Sequence, residues 1–127
     1  MATGEYEGRP IITRFDHGLR KQAGRSRPIR VGVAVEVTAP DERGFPAAPD
    51  EGDRLEALEE RIIEMAAEHA VLVGVITTNG TREWVLYTDA GEWIEPFHHA
   101  LDDATPGYDV QVFAEHDPEW SVYTAFV

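Results

Sequence analysis

The chain has 127 residues, the length of one domain, and its 43% hydrophobic content excludes wholesale disorder. It has no cysteine, which excludes disulfides, thiolate metal sites, iron–sulfur clusters and a cysteine nucleophile. Its 24 acids and 11 bases give a formal net charge of −13, which on average repels nucleic-acid phosphate and anionic lipid.

Residues 1–9 are rich in Gly and Glu and are expected to be a disordered lead-in, with a single domain over residues 10–127. Ile11, Ile12 and Phe15 suggest a short strand, ended by Asp16-His17-Gly18. Residues 18–27 read as an exposed turn or hairpin loop. Ile29, Val31, Val33, Val35 and Val37 then alternate with Arg30, Gly32, Ala34 and Glu36, the cleanest strand signal in the chain. The small residues on the second face of that strand leave room for close packing. A Pro/Gly-rich loop follows over residues 38–52.

Asp53, with Glu56 three residues on, has the form of a capping box. From there Leu55, Leu58, Ile62, Met65, Ala66 and His69 recur at helical spacing, and Glu56, Glu59, Glu60 and Glu64 populate the other side. Val71–Thr78 is a β-branched run, and Asn79-Gly80 is a favoured type I′ hairpin turn. The return strand, Thr81–Thr88, puts Val85 and Tyr87 on one face and Trp84 and Leu86 on the other, the pattern of a central strand. A second helix is marked by Trp93, Ile94, Phe97, Ala100 and Leu101, with Pro96 near its first turn. Tyr108, Val110, Val112 and Ala114 alternate as a last strand. Asp117-Pro118 reads as a helix cap with proline at the first helical position, leading into Trp120, Tyr123 and Phe126.

This order of elements predicts an α+β fold: a ferredoxin-like βαββαβ sandwich, an antiparallel sheet with two helices on one face, plus an extra N-terminal strand. The charge is unevenly spread along it. Residues 1–30 carry seven bases and three acids, or +4, and residues 31–127 carry −17. The basic lead-in either lies against its own acidic body or binds an anion or acidic partner. It lacks the interleaved aromatics of a nucleic-acid platform. No apolar run reaches the roughly 18 residues of a membrane span, and the start has no apolar signal core, so a cytoplasmic location is expected.

The segments Ile11–Phe15, Val33–Pro40, Leu58-Glu59, Leu72–Glu83 with its Thr-x-x-Gly-x-Arg-Glu pattern, Tyr87-Thr88, Tyr108 and the closing Asp117-Pro118-Glu119-Trp120-Ser121-Val122-Tyr123 resemble domain-of-unknown-function family 695, an uncharacterised bacterial family, over nearly the whole chain. The resemblance implies no activity. Family members are sometimes joined to a module similar to a ribonuclease E inhibitor, which points toward protein interaction.

Candidate chemistry is sparse. Arg82 is either an anion-binding group beside Trp84, Tyr87 and Trp120, or a structural base paired with Asp117 or Glu119. Asp117 and Glu119 are either a helix start or a carboxylate pair. Glu95, His98, His99 and Asp102 have helical spacing, but His98 and Asp102 are expected to face solvent and no metal is assigned. Ser26 and Ser121 lie in no nucleophile elbow, and phosphate-loop motifs are missing. The leading expectation is a non-enzymatic, cytoplasmic module, protein-binding or regulatory, with an acidic surface suited to a basic partner and no cofactor. Its surfaces would be the sheet face without helices and the acidic side of the Asp53–His69 helix. The alternative is a small-molecule or anion-binding domain, potentially an enzyme, with Arg14, Arg82, Trp84, Tyr87, Asp117 and Trp120 lining one pocket. A third reading is a homodimer formed through the open sheet face.

Overall fold

A computed structural model of the chain describes residues 2–6, 8–22 and 27–127. It is a mixed α+β fold. The strands are β1 (Ala2–Tyr6), β2 (Arg9–Phe15), β3 (Ile29–Glu36), β4 (Ala70–Thr78), β5 (Thr81–Thr88) and β6 (Gln111–His116). The helices are α1 (Pro49–Ala66), α2 (Ile94–Asp103) and α3 (Ser121–Phe126). The six strands form one sheet in the order β1-β2-β4-β5-β3-β6, with every neighbouring pair antiparallel.

Two expectations change at the N-terminus. Residues 2–6 are not a disordered lead-in but strand β1, paired with β2 from Ala2↔Thr13 to Tyr6↔Arg9. The sheet is therefore extended by two strands beyond β4, not one. Part of the expected turn, His17–Gln22, is a 3-10 helix; residues 23–26 of that turn lie outside the described residues.

Alternation along β5 sets the two faces. Trp84 and Leu86 point to the side covered by α1 and α2, where they pack with Val31, Val33 and Val35 of β3 and with Leu55, Leu58, Ile62, Phe97 and Leu101 of the helices. Val85 and Tyr87 point to the other side, where they pack with Phe15, Val73, Trp120 and Tyr123. The face expected to carry no helix is thus partly covered by α3. The Asn79-Gly80 turn joins β4 to β5 as predicted, with both residues at positive φ, 51° and 77°.

Helix α1 starts four residues before the expected cap, with Pro49 at its first position. The signal that decides this is Glu51, not Asp53. Glu51 is fully buried, and its carboxylate accepts the backbone N–H of Thr38 (2.7 Å), that of Ala39 (3.3 Å) and the Tyr108 hydroxyl (2.7 Å). One first-turn acid therefore ties α1, the end of β3 and the lead-in to β6 together. Asp53 is exposed.

On the α3 side two glycines each lie under a cross-strand phenylalanine. Gly32 pairs with Phe113, and Gly74 pairs with Phe15. A Cβ at Gly32 would sit 2.2 Å from the Phe113 ring; one at Gly74 would sit 2.3 Å from the Phe15 ring. The consequences differ because the rings differ in freedom. Phe113 is 40% exposed, whereas Phe15 is 8% exposed and stacks on Phe126 at 5.1 Å. Gly74→Ala is therefore expected to cost about 1–3 kcal/mol, as overpacking does in a closed core. Gly32→Ala should cost clearly less, because Phe113 can swing toward solvent. Urea denaturation of both variants checks the order.

Candidate functional site

The six residues expected to line one pocket fall into two groups, separated by the sheet. Arg14, Arg82 and Trp84 lie on the α1 side. Tyr87, Asp117 and Trp120 lie on the α3 side. The reason is the period of two itself: residues 82 and 84 share a face of β5 that residue 87 cannot share.

On the α1 side, Glu59 is the shared acceptor. It takes the Trp84 indole N–H (3.0 Å) and pairs with the Arg14 guanidinium. Arg82 stands across the cleft. Its Nε donates to Thr77 Oγ1 (2.9 Å), and it has no carboxylate within 4.0 Å among the described residues. Burial pulls its pKa down, Glu59 pushes it back up and Arg14 adds to the lowering. An arginine remains a cation through such shifts. Ile12, Leu55 and Val75 complete a cleft of about 220 Å³.

On the α3 side the group is closed. Tyr87 and Trp120 stack with centroids 4.3 Å apart, and both are fully buried. The Tyr87 hydroxyl donates to Asp117 Oδ2 (2.6 Å), and the Trp120 indole donates to the Arg27 carbonyl (2.8 Å). Burial, followed by the neighbouring Asp117 carboxylate, raises the Tyr87 pKa. Asp117 also accepts the Ser121 hydroxyl (2.6 Å) and the Ser121 (2.8 Å) and Val122 (3.3 Å) backbone N–H groups. Burial pushes its pKa up, but the Ser121 and Tyr87 donors hold it below the usual carboxylate range. Asp117 therefore caps α3, although the helix begins at Ser121 and not at Pro118. Between them Trp120 takes a left-handed conformation, φ 54°, a strained state for an indole that the stack and the Arg27 bond hold in place. The expected pair of Arg82 with Asp117 or Glu119 does not form, because the sheet lies between them.

Several polar contacts were not foreseen. Arg30 bonds both Glu83 (3.0 Å) and Glu115 (2.5 Å) on the α3 side, with its guanidinium 5.2 Å from the Phe113 centroid. Register explains it: Arg30 is opposite Glu115, and Glu83 lies on the same face of the neighbouring strand. Burial raises the Glu83 pKa against the opposing pull of Arg30. Asp102 is exposed, as expected, whereas His98 is half-buried. His98 Nε2 lies 2.7 Å from the Val110 carbonyl, and Asp102 accepts the Val110 N–H (3.2 Å), so both tie α2 to the approach to β6. A larger depression, about 570 Å³, lies elsewhere, between the end of β3 and residues 107–111. Its acids Glu36 and Asp109 face no base in its lining. The Arg82 cleft is smaller and brings opposite charges and apolar walls together, as does a groove of about 430 Å³ beside Arg30 and Glu83.

The model of the family described as a family of unknown function (DUF695) matches residues 1–127, the whole chain. The chain belongs to this family. No curated protein and no solved structure matches it. Among the described residues, no helix is long and apolar enough to cross a membrane.

The carboxylates of Glu51 and Asp117 have a common pH signature. Their donors lower both pKa values in the folded chain. Groups of this kind add stability above their unfolded pKa and lose it as pH falls through the folded value. Stability is expected to decline between about pH 5 and pH 2. Asp117→Asn should lower stability at pH 7 by about 1–3 kcal/mol, because buried donors lose a charged acceptor. It should also flatten the acid decline. Urea midpoints measured across that range test both parts.

Proposed function

We propose that this member of the DUF695 family is a non-catalytic binding module whose helical layer docks a basic protein partner. The charge of that layer carries the reading. Helices α1 and α2 expose five and three acids respectively, against two exposed arginines, Arg54 and Arg61. Arg54 lies 4.0 Å from Asp50, so its charge is partly matched within the helix. Ile63, 47% exposed, sits on the same face as Glu60 and Glu64 and offers an apolar anchor among them. A surface of this kind attracts a complementary basic patch and disfavours nucleic acid and anionic membrane.

The reading includes a ferredoxin-like core. The run β3-α1-β4-β5-α2-β6, with strand order β4-β5-β3-β6 and α1 and α2 on one face, supports it; β1 and β2 then add to the β4 edge. We place the module in the cytoplasm on the same footing.

The test is capture at low salt, followed by titration of the purified captured protein. A basic partner is expected, with affinity falling on the order of tenfold between about 50 and 200 mM salt. The double variant Glu60→Lys, Glu64→Lys should weaken binding similarly and leave far-UV circular dichroism unchanged, since both side chains are exposed. No partner at low salt, binding indifferent to salt and charge reversal, or light scattering that shows only a second copy on this face would each overturn the proposal.

A further inference from the structure

Arg82 differs from Arg14, Arg30, Arg43 and Arg54, each of which has an acid within 4.0 Å. The protein has more than twice as many acids as bases, yet this half-buried cation has no acid within ion-pairing distance among the described residues. Arg30 shows the ordinary solution, with two carboxylates bonded to its guanidinium. The acid nearest in role to Arg82 is Glu59, and its carboxylate is taken by Arg14 and Trp84. Thr77 takes the Arg82 Nε–H, and neither terminal nitrogen bonds a partner among the described residues.

The space beside Arg82 also has a cause in the sequence. Gly52 lies near the start of α1, where glycine is a poorer helix former than alanine. A Cβ built there meets nothing within 4 Å. The helix therefore leaves an opening over the end of the sheet. Its apolar walls are Ile12, Leu55 and Val75; Arg82 and Thr77 line it with the Arg14–Glu59 pair and the exposed Glu56.

We propose that this cleft binds a small carboxylate carrying a short aliphatic group. The two terminal nitrogens of Arg82 form a planar donor fork that fits a carboxylate bidentately. The Ile12, Leu55 and Val75 walls take the aliphatic group. A volume of about 220 Å³ limits the ligand to a few non-hydrogen atoms inside the cleft. Glu56 at the rim disfavours a ligand with two negative charges. A free small acid and the C-terminal carboxylate of a peptide share this chemistry. The cleft shares Glu56 with the acidic docking face, but Glu60 and Glu64, whose charge reversal tests that face, do not line it.

The experiment titrates the full chain, labelled with ¹⁵N, with isovalerate and with an N-acetylated tripeptide ending in leucine, at ionic strength held constant with chloride. Saturable shifts at the Gly52 amide and the Arg82 Nε–H are expected, in the millimolar range suited to so few atoms. Whichever probe binds identifies the source of the carboxylate. The neutral amide of isovalerate should not bind. Arg82→Gln should abolish binding. Gly52→Leu fills the opening with a better helix former, so it should keep the fold and reduce binding at least tenfold. That variant decides the matter if Arg82→Gln does not fold. The proposal is overturned if the folded wild-type chain shows no saturable shift with either probe up to about 50 mM, well past a millimolar Kd. It is equally overturned if the amide binds as well as the acid, or if Gly52→Leu binds as tightly as the wild type.

Discussion

Strand β5 carries large apolar side chains on both faces, and the fold follows from having to cover both. Trp84 and Leu86 require a helical layer on one side, and α1 and α2 supply it. Val85 and Tyr87 require a cover on the other, and the chain ends by turning back across that face as α3. All five residues from Trp84 to Thr88 are buried as a result. A sheet with apolar residues on only one face of its central strand would leave the closing helix nothing to pack on.

The cover on the second side is short. Six residues of α3 protect the Tyr87 end of the sheet and leave a groove of about 430 Å³ beside Ile76, Arg30 and Glu83. The pair of carboxylates on Arg30 satisfies the charge in that region, so the groove presents no unmatched cation. Buried charge stays stable only when it is paired or hydrogen-bonded, and Arg30, Glu51 and Asp117 each meet that condition with partners from distant segments. Arg82 meets it only through Thr77 and the open mouth of its cleft. Two arginines on opposite faces of one sheet thus differ: Arg30 is held by two carboxylates, whereas Arg82 bonds Thr77 and borders a cleft.

Much of the fold was legible in the chain. The alternation in Ile29–Val37, the Asn-Gly turn and the helical spacing of Leu55, Leu58 and Ile62 are local signals, and each element formed where they pointed. The start of α1 was misread because a surface Asp-x-x-Glu pattern mimicked a cap, whereas Glu51 works through Thr38, Ala39 and Tyr108, which proximity in sequence does not reveal. Strand β1 escaped notice because Ala2–Tyr6 has no apolar alternation; its pairing with β2 supplies the order. The candidate site was half legible. Pooling Arg82 with Tyr87 overlooked the alternation already present in Thr81–Thr88, which puts the two on opposite faces of the sheet.

By itself the sequence determined which residues had to be buried, which face of each strand they occupied and where the chain turned, because these depend on periods of two and 3.6 and on the φ preferences of Asn and Gly. It also determined the strong acidity of the body after residue 30. Only the tertiary structure decided which charges meet. Arg30 finds Glu115 across 85 residues, Tyr87 finds Asp117 across 30, and Arg82 is left facing a cleft under Gly52. Those outcomes depend on strand order and on the height of a helix above the sheet, and neither is encoded in the spacing of neighbouring residues.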